Sequence, residues 1–241
     1  MTKWIEDWFG SEYYSLLYKH RGCDEAKLFL DNLFKFLKIP SGNSILDCGC
    51  GKGRHSIYLN EKGFQVTGID ISENSIIEAK TSEKENLSFY VHDMRNLFRI
   101  NYYDVVLNLF TSFGYFEKDY ENNKAIKSTA SALKKNGWFV LDFMNVKKEI
   151  KALIAQEKCR IDEVDFEIRR YAEKKSIIKE ICFLDKGKSY SYKEKVKSYR
   201  RKDLETFFIQ NKLELVYLFG DYHLAPFSEE TSERLILIGR K

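Results

Sequence analysis

Two stretches carry residue types spaced to hold a nucleoside. The first is Ser44-Ile45-Leu46-Asp47-Cys48-Gly49-Cys50-Gly51-Lys52-Gly53-Arg54-His55. A continuous apolar run ending in glycines marks a strand buried in a parallel sheet. Gly49, Gly51 and Gly53 have no Cβ, so the backbone can turn sharply and a ligand can approach it closely. The helix expected next, to about Leu59, offers unpaired N–H groups and the positive end of its dipole. The second stretch, Phe64-Gln65-Val66-Thr67-Gly68-Ile69-Asp70, is another apolar strand, and it ends in an acid. Asp70 falls about 20 residues past the glycines, at the tip of the neighbouring strand, where a carboxylate can grip a ribose diol. Together these features indicate a nucleoside-containing cofactor, and two kinds fit.

A dinucleotide fingerprint requires a small residue where this chain, counted from Gly49, has Arg54. The pattern present is Asp47-x-Gly49-x-Gly51-x-Gly53. It resembles the first motif of the class I S-adenosylmethionine-dependent methyltransferases, with Asp70 as their acidic second-strand motif and further motifs in matching order downstream. The resemblance implies S-adenosyl-L-methionine as cofactor and S-adenosyl-L-homocysteine as product. It implies cofactor contacts from Asp47, Gly49, Cys50, Gly51, Arg54 and His55 around the turn, and from Asp70 and Ile71 after the second strand. After the third strand, Asp93 would accept from the adenine amine and Met94 would donate its backbone N–H to the ring. Asn108, Leu109 and Phe110 complete the cofactor set from the fourth strand's exit. In the family an N-terminal aromatic segment closes over the cofactor, a role open to Tyr14 and to Arg21 as partner of the methionine carboxylate.

Positioning these residues requires a doubly wound sheet. Residues 4–37 have helical periodicity, with Gly22 dividing two helices. Ser72 caps a helix running to about Lys84, and Leu87–Val91 is the third strand. Tyr103–Phe110 is the fourth strand and its exit, leading into an aromatic loop. Ligands of open α/β sheets sit beyond the strands' carboxyl ends, which puts Phe113, Tyr115 and Phe116 of that loop beside the substrate. A helix over 119–135 and a fifth strand from Trp138 to Phe143 follow, leaving through Asn145, a further pocket candidate. Residues 160–200 alternate as three antiparallel strands, a meander inserted after the fifth strand. Helix 202–211 and strands 213–219 and 234–239 close the sheet. The family places the last strand antiparallel between the fifth and sixth. Between these two strands lie Tyr222, a pocket candidate, and His223, which with Tyr115 is a candidate for catalytic contact. The fold expected is α/β: a Rossmann-like seven-stranded sheet with helices on both faces and an antiparallel meander.

The 241 residues suffice for one substantial core. The division expected is a cofactor-binding core from 1–145 and 202–241, covered by helices 4–37, and an inserted lid from 146–201. No window nears the roughly 18 apolar residues that span a bilayer, and residues 1–8 lack a signal peptide's apolar centre. A cytoplasmic location without membrane association is expected. The five cysteines and four histidines show no ligand spacing, so no metal is expected. Residues 146–202 hold 18 Lys/Arg and 10 Asp/Glu, a surplus of +8 against a net +4 for the chain. Those lysines alternate with apolar residues, as on a solvated sheet face, and nucleic acid is an unfavoured partner. The reading is methyl transfer to a small-molecule acceptor, with an anionic one reconciling the basic lid. RNA or tRNA modification and non-catalytic cofactor binding are the alternatives.

Overall fold

The structure, a computed structural model, describes residues 3–19 and 23–241. Three helices open it: α1 (Lys3–Phe9), α2 (Glu12–Leu17) and α3 (Cys23–Leu37). The break between α1 and α2 was not expected. It follows from Gly10 and from Ser11, whose hydroxyl accepts from the Tyr14 N–H and caps α2. Gly22 and Arg21 lie outside the described residues.

The core then alternates: β1 (Ser44–Cys48), α4 (Arg54–Glu61), β2 (Gln65–Asp70), α5 (Glu73–Lys80), β3 (Leu87–Val91), β4 (Tyr103–Asn108), α6 (Asp119–Ala132), β5 (Leu133–Met144) and α7 (Val146–Lys151). Helices α5 and α6 stop earlier than expected, at Lys80 and Ala132. A four-stranded meander follows, β6 (Gln156–Ile161), β7 (Val164–Glu173), β8 (Ser176–Asp185) and β9 (Lys188–Lys197). The chain closes with α8 (Arg201–Gln210), β10 (Glu214–Phe219) and β11 (Arg234–Arg240).

The main sheet has the order β10-β11-β5-β4-β1-β2-β3. Strands β1 to β5 run parallel, and β11 is antiparallel to both β5 and β10, as expected. Strand order reverses between β1 and β4, so their carboxyl ends open a crevice. Successive side chains of a strand enter opposite cores. Ile45, Val105 and Val140 pack with α3, α4 and α5, while Leu46, Val106 and Leu141 pack with α6 and α8.

The meander has four strands where three were expected. Its first, β6, reads Gln-Glu-Lys-Cys-Arg-Ile and is an edge strand whose apolar signal is Cys159 and Ile161. Phe166, Ile168, Ile181 and Phe183 share one face with Trp8, Tyr13 and Leu17 of α1 and α2 in a third core. Trp8 is fully buried there, and its indole N–H donates to Glu194 at 2.6 Å.

Candidate active site

The glycine turn is built by β1, which aims its end at the crevice. Gly49, Gly51 and Gly53 all have left-handed backbones, at φ 75°, 54° and 83°. Their neighbours differ. A Cβ on Gly53 would meet the Phe89 ring at 2.6 Å, and one on Gly49 would meet Ser112 at 2.6 Å. A Cβ on Gly51 would meet nothing within 4 Å, so this backbone has open space over it. Beside it, Asp70 accepts from the Gly51 N–H at 2.8 Å through one carboxylate oxygen and from the Ser72 N–H at 2.8 Å through the other. Burial raises the Asp70 pKa, and these N–H groups oppose that rise.

The crevice is a cavity of about 720 Å³. Gly49, Gly51, Asp70, Ile71, Asp93 and Met94 line it, as do Phe110 and Tyr14. Tyr115, Phe116 and Tyr222 line it too, Tyr222 beside Phe110 with ring centres 5.1 Å apart. Asp93 is gripped by Arg95, whose guanidinium donates to both carboxylate oxygens and also to Glu121. Burial works against ionisation of Asp93, but the Arg95 bonds hold its pKa below the usual range.

Other expected residues stand behind the wall. Asp47 is buried and accepts from the Ser56 hydroxyl at 2.7 Å, tying β1 to α4; burial lifts its pKa to about 6. His55 is buried and stacked on Phe110 at 5.0 Å, and burial lowers it to about 3. Arg54 lies over the opposite partner of that stack, 4.5 Å from the Phe110 ring centre. Cys50 and Leu109 are core residues. Asn108 is buried, donating to the Cys48 carbonyl at 3.2 Å.

Three residues expected on the substrate side stand outside the cavity lining. Phe113 is buried among Phe143, Tyr199 and Phe207, because Gly114 turns the loop and sends that ring into the core. Asn145 is spent on the chain's last loop, donating to the Glu229 and Ser232 carbonyls at 3.0 and 2.8 Å. His223 is exposed and outside the cavity lining; Asp221 accepts its backbone N–H at 2.9 Å and holds the turn outward. Arg21 lies outside the described residues.

The sequence reading missed the group that shapes the crevice's middle. Phe110 and Thr111 both have left-handed backbones, φ 54° and 64°, a strained corner for two residues with side chains. Asp142, fully buried at the end of β5, holds it. One oxygen accepts from the Phe110 N–H at 2.8 Å and the Tyr222 hydroxyl at 3.0 Å; the other accepts from Arg234 Nε at 2.8 Å. Arg234 also donates to the Thr111 hydroxyl at 2.9 Å. Burial works against the Arg234 charge, but Asp142 keeps its pKa raised. Tyr222 is raised by burial and then by Asp142. The signal was an acid inside the apolar run Val140-Leu141-Asp142-Phe143, which demands a buried cation.

Residues of α1 and of the meander also line the cavity. Ile5 and Phe9 of α1 reach it, as do Arg170, Ile177, Lys179, Glu194 and Val196 of the meander. Arg170, Lys179 and Glu194 form one cross-strand row by register.

A family model described as a methyltransferase domain matches residues 39–200. YqeM of Bacillus subtilis (strain 168), named as a candidate methyltransferase, is 36% identical over 107 residues, 43% of each chain. The dTDP-3-amino-3,4,6-trideoxy-alpha-D-glucopyranose N,N-dimethyltransferase of Streptomyces venezuelae is 27% identical over 134 residues, 55% of this chain and 56% of that one. The chain thus matches about half the length of these curated relatives. The crystal structure of an S-adenosylmethionine-dependent methyltransferase from Clostridium acetobutylicum ATCC 824 superposes with a TM-score of 0.80 at 18% identity, covering 95% of both chains.

Proposed function

This chain belongs to the class I S-adenosylmethionine-dependent methyltransferase family, and from that premise we propose that it methylates a small-molecule acceptor enclosed beneath the meander. One observation carries the reading. A single cavity of about 720 Å³ runs from Asp70 and the open face of Gly51 to Tyr115, Tyr222 and the meander, within the size range of enclosed small-molecule sites.

The residues present fit the cofactor. Gly51 leaves room over its backbone, and the Asp70 carboxylate stands beside it to accept from a ribose diol. Ile71 and Met94 would flank the adenine, with Asp93 at its edge and Tyr14 covering the opening. S-adenosylmethionine, when bound, supplies an activated methyl on a sulfonium. The chain's own work is alignment and exclusion of water. The strained Phe110–Thr111 corner supplies part of the cavity wall, and Tyr115 and Phe116 add apolar surface to it. Tyr222 already donates to Asp142, so it acts as a fixed wall and not as a base. An amine acceptor suits this arrangement, since a desolvated amine attacks without a strong base. The amino-sugar N,N-dimethyltransferase among the relatives supports the same class. The meander acts as lid, α1 and α2 as cover, and the location is cytoplasmic. Several outward cations of the meander are paired with acids, as in Lys158–Glu167, Arg160–Asp165 and Lys193–Glu180, which argues against a nucleic-acid face.

The test is calorimetric titration with S-adenosylmethionine, S-adenosylhomocysteine and NAD on wild type and Asp70→Ala. Labelled-methyl transfer to amino sugars, amino acids and RNA would follow. Binding of the first two ligands, lost in the variant, is expected. A folded protein that binds neither overturns the reading.

A further inference from the structure

The charged groups of the meander's inner face are almost all committed. Glu194 accepts from the Trp8 indole at 2.6 Å and from the Tyr18 hydroxyl at 2.8 Å. Lys179 donates to that same hydroxyl at 2.6 Å and lies 4.4 Å from its ring centre. Across the cavity, Arg234 is held by Asp142, and Glu233 pairs with Lys148. Arg170 differs. Its Nη2 pairs with Glu157 at 2.7 Å, while its Nη1 is buried and has no hydrogen-bond partner. The side chain is a quarter exposed, and it lines the cavity.

A guanidinium cannot shed its proton, so a buried, unsatisfied N–H of this group is costly until an acceptor meets it. The Glu157 pair leaves Nη1 as the unfilled position of the fork, in a side chain that lines the cavity. A planar fork of this kind matches the oxygens of an oxyanion. The Glu157 carboxylate offsets one positive charge but fills only Nη2. Other acids on the wall, Glu25 and Glu149, are drawn from α3 and α7 and not from the meander.

We propose that Arg170 is the specificity-determining residue of the lid, binding an oxyanion, carboxylate or phosphate, carried by the methyl acceptor. The proposal deepens the methyl-transfer reading and rests on it for the acceptor's identity. It makes the lid a selector: an acceptor that lacks the anion leaves Nη1 unsatisfied, and one that carries it completes the fork. The surplus of cations in the insertion then acts through one inward arginine and not through its outward lysines.

The experiment titrates acetate, inorganic phosphate and acetamide, at fixed ionic strength, into protein saturated with S-adenosylhomocysteine. Wild type, Arg170→Gln, Arg170→Lys and Arg169→Gln are compared. Arg169 is exposed on the opposite face of β7 and serves as the control. Acetate or phosphate should bind wild type at least tenfold more tightly than acetamide; which of them does so identifies the source of the anion. Arg170→Gln should lose tenfold or more, Arg170→Lys should keep part, and Arg169→Gln should match wild type. S-adenosylhomocysteine affinity should stay within twofold throughout, a split that a merely structural arginine would not give. Absence of anion binding by wild type, or equal binding by Arg170→Gln, overturns the proposal. If wild type does not bind S-adenosylhomocysteine, the methyl-transfer reading falls separately, and the same titrations on cofactor-free protein still decide whether Arg170 holds an anion.

Discussion

Asp142→Ala would leave Arg234 charged, buried and without its counter-ion. It would also strip the acceptor from the Phe110 N–H and the Tyr222 hydroxyl. Breaking a buried pair by removing one partner costs about 3–5 kcal/mol. Each orphaned buried donor adds about 1–3 kcal/mol where water cannot reach it. The Phe110–Thr111 corner would lose the bond that holds its two left-handed residues, and relaxation there returns part of the loss. A net cost of about 4 kcal/mol follows, a large share of the roughly 5–15 kcal/mol that a domain commands. Urea unfolding of cofactor-free protein, followed by far-UV circular dichroism, measures it. With a slope of about 1–3 kcal/mol per molar, the midpoint should fall by more than about 1 M. Arg234→Met removes the charge instead and should cost less, because Asp142 keeps two donors. In the double variant Asp142→Leu/Arg234→Met no buried charge remains, so its cost should be well below the sum of the single variants. A loss under about 1 kcal/mol for Asp142→Ala, or simple additivity in the double variant, would refute the reasoning.

Three further outcomes are expected. Gly51→Ala and Gly53→Ala should separate binding from folding. Both carry the left-handed strain of about 1–2 kcal/mol, but Gly53→Ala also drives into Phe89 and should lower Tm much more, while Gly51→Ala should stay folded and lose S-adenosylhomocysteine affinity. Equal Tm losses would contradict this. His55, lowered by burial to about 3, contributes stability that is present above its usual value of about 6.5 and is lost as pH falls towards 3. Asp47, raised to about 6, acts in the opposite sense, its contribution present below about pH 4 and lost as pH rises through 6. His55→Gln should therefore lose less stability between pH 7 and pH 5 than wild type, and an unchanged profile counts against a buried neutral imidazole. Trp8→Ala empties a fully buried site and should cost the cover and meander about 3–5 kcal/mol. Hydrogen exchange should quicken across 156–197 while β1 and β4 stay protected; uniform loss of protection would show the third core to be inseparable from the main sheet.

The parts legible in the sequence were those whose signal is local. β1, β2 and β4 are continuous apolar runs because both their faces are buried, and the glycines after β1 mark a turn only they can make. Asp70 followed from its distance along the chain. What escaped depends on partners remote in sequence. β6 offers only Cys159 and Ile161 as apolar signal, and its partner β7 is what marks it as a strand. Asp142 and Arg234 meet across the β5–β11 pairing, 92 residues apart. Arg170 reads as one more cation in a basic segment, and only the pleat of β7 turns it inward while Arg169 faces out. Phe113 and Tyr115 look alike in the aromatic loop; the φ of 90° at Gly114 decides which of them enters the core.

The shared packing of Trp8, Tyr13 and Leu17 with Phe166, Ile181 and Phe183 bears on how the protein could be re-engineered. Residues 3–19 and 156–197 are separated in sequence by the whole β1–α7 core, yet they share one hydrophobic core. A graft that exchanges the meander alone strands the Trp8 indole and the Tyr13 hydroxyl, which now donate to Glu194 and Asp185. Chimeras intended to accept new substrates should exchange both segments together, with the glycine turn and Asp70 left in place.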